Sequence, residues 1–143
     1  MPNPATILLV EDNPDDESLT VRALRMGTSA NIEVAHDGQE ALDYLLNDTN
    51  NMPRLVLLDL NLPPEIDGLE VLRRIREDER TCLTPVVILT GFGAPIDVTA
   101  AYRRGANSYV RKPVDFDQFA EMVHQLGLYW LVVNELPPSV RDQ

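Results

Sequence analysis

Short apolar runs without polar alternation recur along the chain, a pattern typical of β-strands that are buried on both faces. Three runs are clear and two are weaker: Ile7 to Val10, Leu55 to Leu58 and Val86 to Leu89, then Ile32 to Ala35 and Ser108 to Val110. The segments between them carry apolar residues at helical spacing. Because strand and helix alternate five times, the pattern predicts an α/β domain, a doubly wound parallel sheet with helices on both faces.

The sequence signals for some helices are clearer than those for others. Asn13 is a suitable N-cap, Pro14 occupies the first helical position, and Gly27 ends the same segment. Residues 94–104 have few apolar positions and predict a weaker helix. The side chains expected on the buried faces of the other four helices are Leu19, Ala23 and Met26; Ala41, Leu42, Leu45 and Leu46; Leu69, Leu72 and Ile75; and Phe116, Phe119, Val123 and Leu126.

Composition narrows the choice of partners. Hydrophobic residues make up 44% of the 143 positions, and 12 basic against 23 acidic side chains give a net charge of −11. This charge repels phosphate backbones and anionic lipids, so we expect neither nucleic-acid nor membrane binding. No apolar run approaches the roughly 20 residues of a membrane-spanning helix. A lone cysteine, Cys82, and an N-terminus without a secretory pattern predict a soluble protein of the reducing cytoplasm.

Polar residues follow four of the predicted strands at the point where each strand ends. They are Glu11 with Asp12, Asp59, Thr90, and Lys112. Because the carboxyl ends of parallel strands lie at one edge of a sheet, we expect these side chains to meet there. Neighbouring carboxylates repel one another unless a cation neutralises them, and an all-oxygen site that is open to water and phosphate suits Mg²⁺.

Such a cluster can accept a phosphoryl group. Asp59 would attack phosphorus, with Mg²⁺ bridging the carboxylate and a phosphoryl oxygen, while Thr90 and Lys112 would hold the remaining oxygens. Each residue also has a plainer interpretation: Asp12 could only cap a helix, Thr90 could be an ordinary strand residue, and Lys112 a solvated turn residue. The combination of all four strand ends favours the phosphoryl site.

Five stretches of the sequence resemble the receiver domains of two-component response regulators. They are ILLVEDNP at 7–14, LVLLDLNLP at 55–63, DG at 67–68, PVVILTG at 85–91 and YVRKP at 109–113. The resemblance covers residues 5 to about 127. It implies a flavodoxin-like fold with strand order 2-1-3-4-5, and a receiver domain over residues 1–127.

The resemblance also implies a role for each polar residue. Asp59 would be the phosphoacceptor, and the metal ligands would be Glu11, Asp12, Asp59 and the backbone carbonyl of Asn61. Lys112 would be the lysine of the family, which is usually followed by a cis peptide to proline. The phosphoryl group would come from a phosphohistidine of a sensor histidine kinase, and the chain would later lose it autocatalytically. On this interpretation the protein is a phosphoacceptor and not an enzyme with a separate substrate.

Thr90 and Tyr109 resemble the switch hydroxyl and switch aromatic of the family. Phosphorylation of Asp59 adds charge and acceptor oxygens, so it would draw the Thr90 hydroxyl inward, and the Tyr109 ring would enter the vacated space. The plainer alternative is that Tyr109 is a half-buried strand tyrosine.

Two positions depart from the usual pattern. Gly68 lies nine residues after Asp59 where receivers usually have eight, so the loop after the third strand is one residue longer. Phe92 stands where many relatives carry a polar residue, and we hypothesise that its ring restricts water and slows dephosphorylation. Exchange of Phe92 for Glu should then shorten the phosphoryl lifetime.

The receiver pattern is complete by Gly127, yet the chain continues as LYWLVVNELP. An exposed apolar segment favours self-association, so residues 128–143 are interpreted as a homodimerisation arm. Its expected contact residues are Tyr129, Trp130, Leu131 and Val133. The alternative is that the segment folds back onto the last helix of its own domain. The segment and the LNLP motif are also similar to stand-alone regulators that partner bacterial phytochromes, which implies a red-light-sensing bacteriophytochrome as the kinase. We expect no DNA-binding output domain after the receiver, because such a domain would need about a hundred further residues with a helix-turn-helix and a basic surface.

Two other functions remain open at this stage. A Mg²⁺-dependent phosphatase with an aspartate nucleophile would, by family resemblance, need a second acid two positions later, and that position is Asn61. A receiver-like module that binds partners without phosphorylation would lack the acceptor, the acid pair or the lysine, and this sequence has all of them.

Overall fold

The five apolar runs form one parallel sheet in the order β2-β1-β3-β4-β5, as the resemblance implies. The structure is a computed structural model that describes residues 5–47, 52–91, 95–113 and 115–138. The strands are β1 Thr6–Val10, β2 Asn31–Ala35, β3 Leu55–Leu58, β4 Val86–Thr90 and β5 Ser108–Arg111. The helices are α1 Pro14–Gly27, α2 Gly38–Leu45, α3 Gly68–Glu77, α4 Pro95–Arg103 and α5 Phe116–Leu128. A short 3-10 helix, Pro64–Ile66, precedes α3, and a π-helical segment, Tyr129–Val133, follows α5.

Burial explains why three strands were clear in the sequence and two were weak. All residues of β1, β3 and β4 are buried, because these strands lie inside the sheet with helices on both faces. The edge strands β2 and β5 are largely half-exposed, so they tolerate polar residues. The position of a strand in the sheet therefore sets how apolar its sequence must be.

Side chains of the central strands alternate between two separate cores. Leu8 and Leu58 point to the core that α2 and α3 cover, where they meet Leu42 and Leu72. Ile7, Leu9, Leu55 and Leu57 point to the opposite core, which α1 and α5 cover with Ala23, Leu24, Phe119 and Val123. This alternation confirms the prediction of a sheet with helices on both faces.

Two residues expected on buried helix faces are exposed instead. Met26 is 73% exposed, and Leu24 is buried in its place, because the buried face of α1 follows Thr20, Ala23 and Leu24. Leu46 lies just beyond the end of α2 and is also exposed. Residues near a helix end can leave the buried face at little energetic cost, so spacing alone does not decide their burial.

Aspartate and asparagine caps begin most of the helices near the carboxyl edge of the sheet. Asn13 accepts hydrogen bonds from the backbone N–H groups of Asp15 and Asp16, as expected for the N-cap of α1. Asp37, Asp67 and Asp115 each accept one backbone N–H at the starts of α2, α3 and α5. These caps stabilise the loops between strand ends and helices, where the polar cluster lies.

The longer loop after β3 is accommodated by the 3-10 helix Pro64–Ile66. Gly68 then begins α3 directly against the backbone, where a Cβ would lie 2.5 Å from Leu60 Cα and 2.6 Å from the Asp59 carbonyl oxygen. Only glycine fits this close approach. The start of α3 is therefore packed directly against the backbone of Asp59.

Candidate functional site

The carboxyl edge of the sheet brings Glu11, Asp12 and Asp59 together. Val10 and Leu58 are paired in register on the adjacent strands β1 and β3, so the residues that follow them are neighbours. Carboxylate oxygens of the three acids lie within 4.8 Å of one another. Glu11 and Asp59 are buried and Asp12 is exposed, so the cluster is open to solvent on one side.

Donors hold both oxygens of the Asp59 carboxylate. The Thr90 hydroxyl and the Asn61 backbone N–H each donate to Oδ1 at 2.9 Å, and the Lys112 ammonium donates to Oδ2 at 3.0 Å. Thr90 arrives at the end of β4 and Lys112 just past the end of β5, which are the next two strands of the sheet. The carboxylate is thus fixed in orientation before any reaction begins.

Lys112 binds three carboxylates at once. Its Nζ lies 2.5 Å from Glu11 Oε1, 3.0 Å from Asp16 Oδ2 and 3.0 Å from Asp59 Oδ2. The Lys112 side chain is only 9% exposed and that of Glu11 only 2%. A buried ammonium is stable only when it is paired, and each of its three protons has an acceptor here.

Asp16 was not among the residues expected at the site. From the sequence it belonged only to the first turn of a helix, where an acid is favoured by the helix dipole. The structure shows that the first turn of α1 carries its carboxylate to Lys112. The available signal was that Asp16 lies shortly after the end of β1 and the Asn13 cap. The sequence does not show which way this helical turn faces.

The charges of the cluster divide unequally between the two buried acids. Burial raises the pKa of Glu11 to about 7, with Asp59 adding to the rise and Lys112 opposing it. Burial also tends to raise the pKa of Asp59, but the Asn61 N–H and the Lys112 ammonium outweigh it and lower the pKa below its ordinary value. Burial acts against the Lys112 ammonium, yet Glu11 and Asp59 raise its pKa well above the usual range. Asp59 is therefore the more readily ionised of the two buried acids.

Tyr109 lies beside the cluster on β5. Its ring is partly buried against the core that α2 and α3 cover, and it borders a cavity of about 200 Å³ with Asn61 and Asp97. Burial, followed by the nearby charge of Asp97, raises the pKa of its hydroxyl. Thr90 is completely buried and already bonds Asp59, so the inward position expected after phosphorylation is occupied while Asp59 is a free carboxylate.

The donor set suits a hard divalent cation. Three carboxylates converge at one point, one of them solvent-exposed, which leaves room for water or phosphate oxygens to complete the coordination. Asn61 is exposed, and its backbone N–H bonds Asp59. The residues present therefore fit Mg²⁺ or a similar ion, and the role of the Asn61 carbonyl stays a prediction.

Two expectations about the neighbouring loops have different outcomes. No peptide bond is cis in the part of the chain that the structure describes, so the bond between Lys112 and Pro113 is trans where the resemblance implied cis. Phe92 lies outside the described residues, and the hypothesis about its ring stays a prediction.

The apolar segment after Gly127 continues the last helix without a break. Trp130 and Leu131 are partly buried against the core that α1 and α5 cover, and Leu136 is buried. Tyr129 and Val133 are 48% and 63% exposed. One side of the segment thus packs on its own domain, and the other side faces outward. Among the described residues no helix combines the length and apolar character needed to span a bilayer.

Comparison with known proteins places the chain in one family. Residues 7–124 match the response regulator receiver domain. The probable methanogenesis regulatory protein FilR2 of Methanothrix harundinacea is 42% identical, covering 94% of this chain and 89% of that protein. The crystal structure of the phosphorylated cyanobacterial phytochrome response regulator RcpA is 33% identical over 94% of this chain and 99% of its own, with a TM-score of 0.87. The Mn²⁺-bound form of Rcp1, a response regulator of Synechocystis sp., is 34% identical over 94% and 99% of the two chains, with a TM-score of 0.86. The chain belongs to the response regulator receiver domain family.

Proposed function

We propose that the protein accepts a phosphoryl group on Asp59 from a sensor histidine kinase in the cytoplasm and changes conformation in response. The observation that carries this proposal is the buried Asp59 carboxylate, which Thr90, Asn61 and Lys112 hold beside two further acids. No histidine or thiol lies in this arrangement, so its chemistry relies on positioning and charge.

The transfer forms one bond and breaks one. A carboxylate oxygen of Asp59 attacks the phosphorus of a phosphohistidine, the new oxygen–phosphorus bond forms, and the histidine nitrogen leaves with the electron pair of the broken bond. Glu11, Asp12, Asp59 and the Asn61 carbonyl would hold Mg²⁺, which when bound neutralises charge between the carboxylate and the phosphoryl oxygens. Lys112 and Thr90, already within hydrogen-bond distance of Asp59, would bind the phosphoryl oxygens.

The conformational response would run through Thr90 and Tyr109. An acyl phosphate on Asp59 offers the Thr90 hydroxyl stronger acceptors than the free carboxylate does, so it would hold that hydroxyl inward. The Tyr109 ring, beside its cavity, would then favour the buried position, and β5 with α4 would present a different surface.

Phosphorylation of Asp59 is tested by incubating the purified chain with acetyl phosphate and Mg²⁺ and measuring its intact mass. We expect the mass of one phosphoryl group to be added to the wild type and to Asp117→Asn, a control at an exposed aspartate, but not to Asp59→Asn. An adduct that persists in Asp59→Asn would place the acceptor elsewhere. Continuous release of phosphate from many phosphoesters would instead support the phosphatase alternative, and no reaction at all would support the binding-only module.

We further propose a bacteriophytochrome as the kinase. The support is the similarity to RcpA, whose structure is described as that of a phytochrome response regulator, and the sequence features that predicted this pathway. FilR2 is also similar to this chain, but it is named as a methanogenesis regulatory protein and not as a phytochrome regulator. The identity of the kinase therefore needs its own test. Transfer from an autophosphorylated phytochrome-type kinase should be much faster than from an unrelated histidine kinase, and equal rates would contradict the assignment.

We also propose that residues 1–127 form the receiver domain and that the following segment joins two chains in a homodimer. Tyr129 and Val133 would lie in the contact, since they are exposed on the outer side of the segment. Trp130 and Leu131 would support it from the inner side, where they pack on the core of their own domain. Exposed Leu128 and Val132 extend the same apolar surface.

A further inference from the structure

The contacts of Lys112 contain a conflict that the proposed reaction must resolve. Two of its three partners, Glu11 and Asp59, belong to the acid cluster that fits a divalent cation. The same two carboxylates cannot fully neutralise both the Lys112 ammonium and a divalent metal ion. Each of these positive charges would therefore weaken the binding of the other. The third partner, Asp16, is not one of the three clustered acids.

The first turn of α1 holds Asp16 rigidly. Its backbone N–H donates to the side chain of Asn13 at 3.0 Å, and its carbonyl accepts from the Thr20 hydroxyl at 2.7 Å. Thr20 is fully buried, so this second bond ties the turn to the interior. The Asp16 carboxylate therefore approaches Lys112 from a fixed backbone and stays partly exposed, at 40%.

We propose that Asp16 is a positioning residue that holds the Lys112 ammonium beside the acid cluster while Glu11 and Asp59 bind the cation. The inference rests on the proposed function of the site. The Asp16 carboxylate neutralises the Lys112 ammonium at its position beside the cluster. Lys112 therefore keeps one carboxylate partner when Glu11 and Asp59 bind the metal ion and the phosphoryl group. Without Asp16, the ammonium would depend on Glu11 and Asp59 alone and would compete with the cation for both.

The variant Asp16→Asn tests this role, with Asp15→Asn as the matched control. Asp15 is exposed in the same helical turn and shares the Asn13 cap, so its exchange removes the same charge without touching Lys112. We expect Asp16→Asn to weaken Mg²⁺ binding about tenfold, as for other residues that orient ligands from outside a metal site. Asp15→Asn should weaken binding far less. The affinity is measured without a phosphodonor, from the Mg²⁺-dependent shift of the Asn61 amide in NMR spectra.

A second measurement follows Lys112 itself, which is the only lysine of the sequence and gives a single side-chain signal in selectively labelled protein. The Nζ resonance should move in Asp16→Asn and stay in place in Asp15→Asn. Asp16→Glu retains the carboxylate and should restore most of the Mg²⁺ affinity, which a purely structural role of the turn would not produce. If Asp16→Asn fails to fold, as judged by thermal unfolding, the Asp16→Glu variant still decides. A loss of Mg²⁺ affinity in Asp16→Glu as large as the loss of about tenfold expected for Asp16→Asn would overturn the proposal.

Failure of this inference and failure of the proposed function give different results. If the wild type takes up no phosphoryl group from acetyl phosphate, the phosphoacceptor function is wrong, while the Mg²⁺ and Nζ measurements still judge Asp16. If the wild type is phosphorylated but Asp16→Asn matches Asp15→Asn in both measurements, the acceptor function stands and the positioning role is overturned.

Discussion

At the scale of single residues, each oxygen of the Asp59 carboxylate depends on only one or two hydrogen-bond donors. Asp59 Oδ1 receives hydrogen bonds from Thr90 and Asn61, and Oδ2 receives one from Lys112. Each donor is held by a different strand end or loop, so none can replace another. The loss of one donor should therefore be measurable.

Thr90→Val keeps the shape of the side chain and removes the hydroxyl. We expect the rate of phosphorylation by acetyl phosphate to fall at least about tenfold, because a buried donor to the reacting carboxylate is lost. Thr90→Ser retains the hydroxyl and should stay close to the wild type. Equal rates in all three proteins would show that this hydrogen bond does not contribute to the reaction.

His36 predicts a pH dependence of stability away from the acid cluster. Its ring bonds Glu17 of α1 at 2.9 Å and Glu40 of α2 at 3.2 Å. Burial lowers the pKa of His36, but the hydrogen bonds and charges of Glu40 and Glu17 together outweigh it and raise the pKa above 6.5. The contribution to stability is therefore complete below about pH 6.5 and is lost as the pH rises through the higher folded-state value.

The free energy of unfolding in urea, measured at pH 6 and pH 8, tests this. Between these values the wild type should lose up to about 0.5 kcal/mol more than His36→Gln, a small effect because the ring is half-exposed. A wild type that gains stability relative to the variant on going to pH 8 would contradict the assigned direction.

At the scale of elements, the loop after β3 links Asp59 to the helices α2 and α3. The 3-10 helix absorbs the additional residue, and Ile66 then lies against Gly38 at the start of α2, where a Cβ would be 2.3 Å from the Ile66 carbonyl oxygen. Gly68 contacts the Asp59 backbone on the other side. The end of β3 and the starts of α2 and α3 are thus packed against this loop. Neither Gly38 nor Gly68 has space for a side chain.

Gly68→Ala should destabilise the protein by about 1–3 kcal/mol, because the new Cβ meets backbone atoms that cannot rotate away. Gly91→Ala is the control: apart from its chain neighbours, no atom of the described residues lies within 4 Å of its added Cβ, and its φ is not positive. Urea unfolding of the two variants gives the comparison. Similar stabilities would mean that the start of α3 can shift away from β3 at little energetic cost.

The end of the sheet opposite the acid cluster holds a contact between elements that the sequence pattern does not predict. Arg76, at the end of α3, donates to the carbonyl oxygens of Cys82, Thr84 and Gly105 and to the side chain of Asn107. Burial lowers the pKa of this guanidinium. The residue joins the segments before β4 and β5, so the elements that carry Thr90 and Lys112 share one anchor at their opposite ends.

At the scale of the whole molecule, the proposed homodimer depends on the outer side of the segment after α5. Val133→Asp places a charge on the exposed apolar surface, and we expect the dissociation constant of the homodimer to rise at least about tenfold. Met26→Asp, at an exposed apolar residue of α1, should leave it unchanged. Sedimentation at several concentrations measures both. A wild type that is monomeric throughout would refute the dimer.

Local patterns along the chain are sufficient to predict the alternation of strands and helices, most of the apolar core and the polar residues that follow the strands. These follow from local periodicity, from caps such as Asn13, and from the rule that parallel strands end at one edge. The folded chain is needed to show that Asp16 reaches Lys112, that Arg76 joins the segments before β4 and β5, and that Met26 is exposed while Leu24 is buried. Those features depend on how helices are rotated and packed on the sheet, and contacts between residues as far apart as Asp16 and Lys112 leave no periodic signal in a single chain.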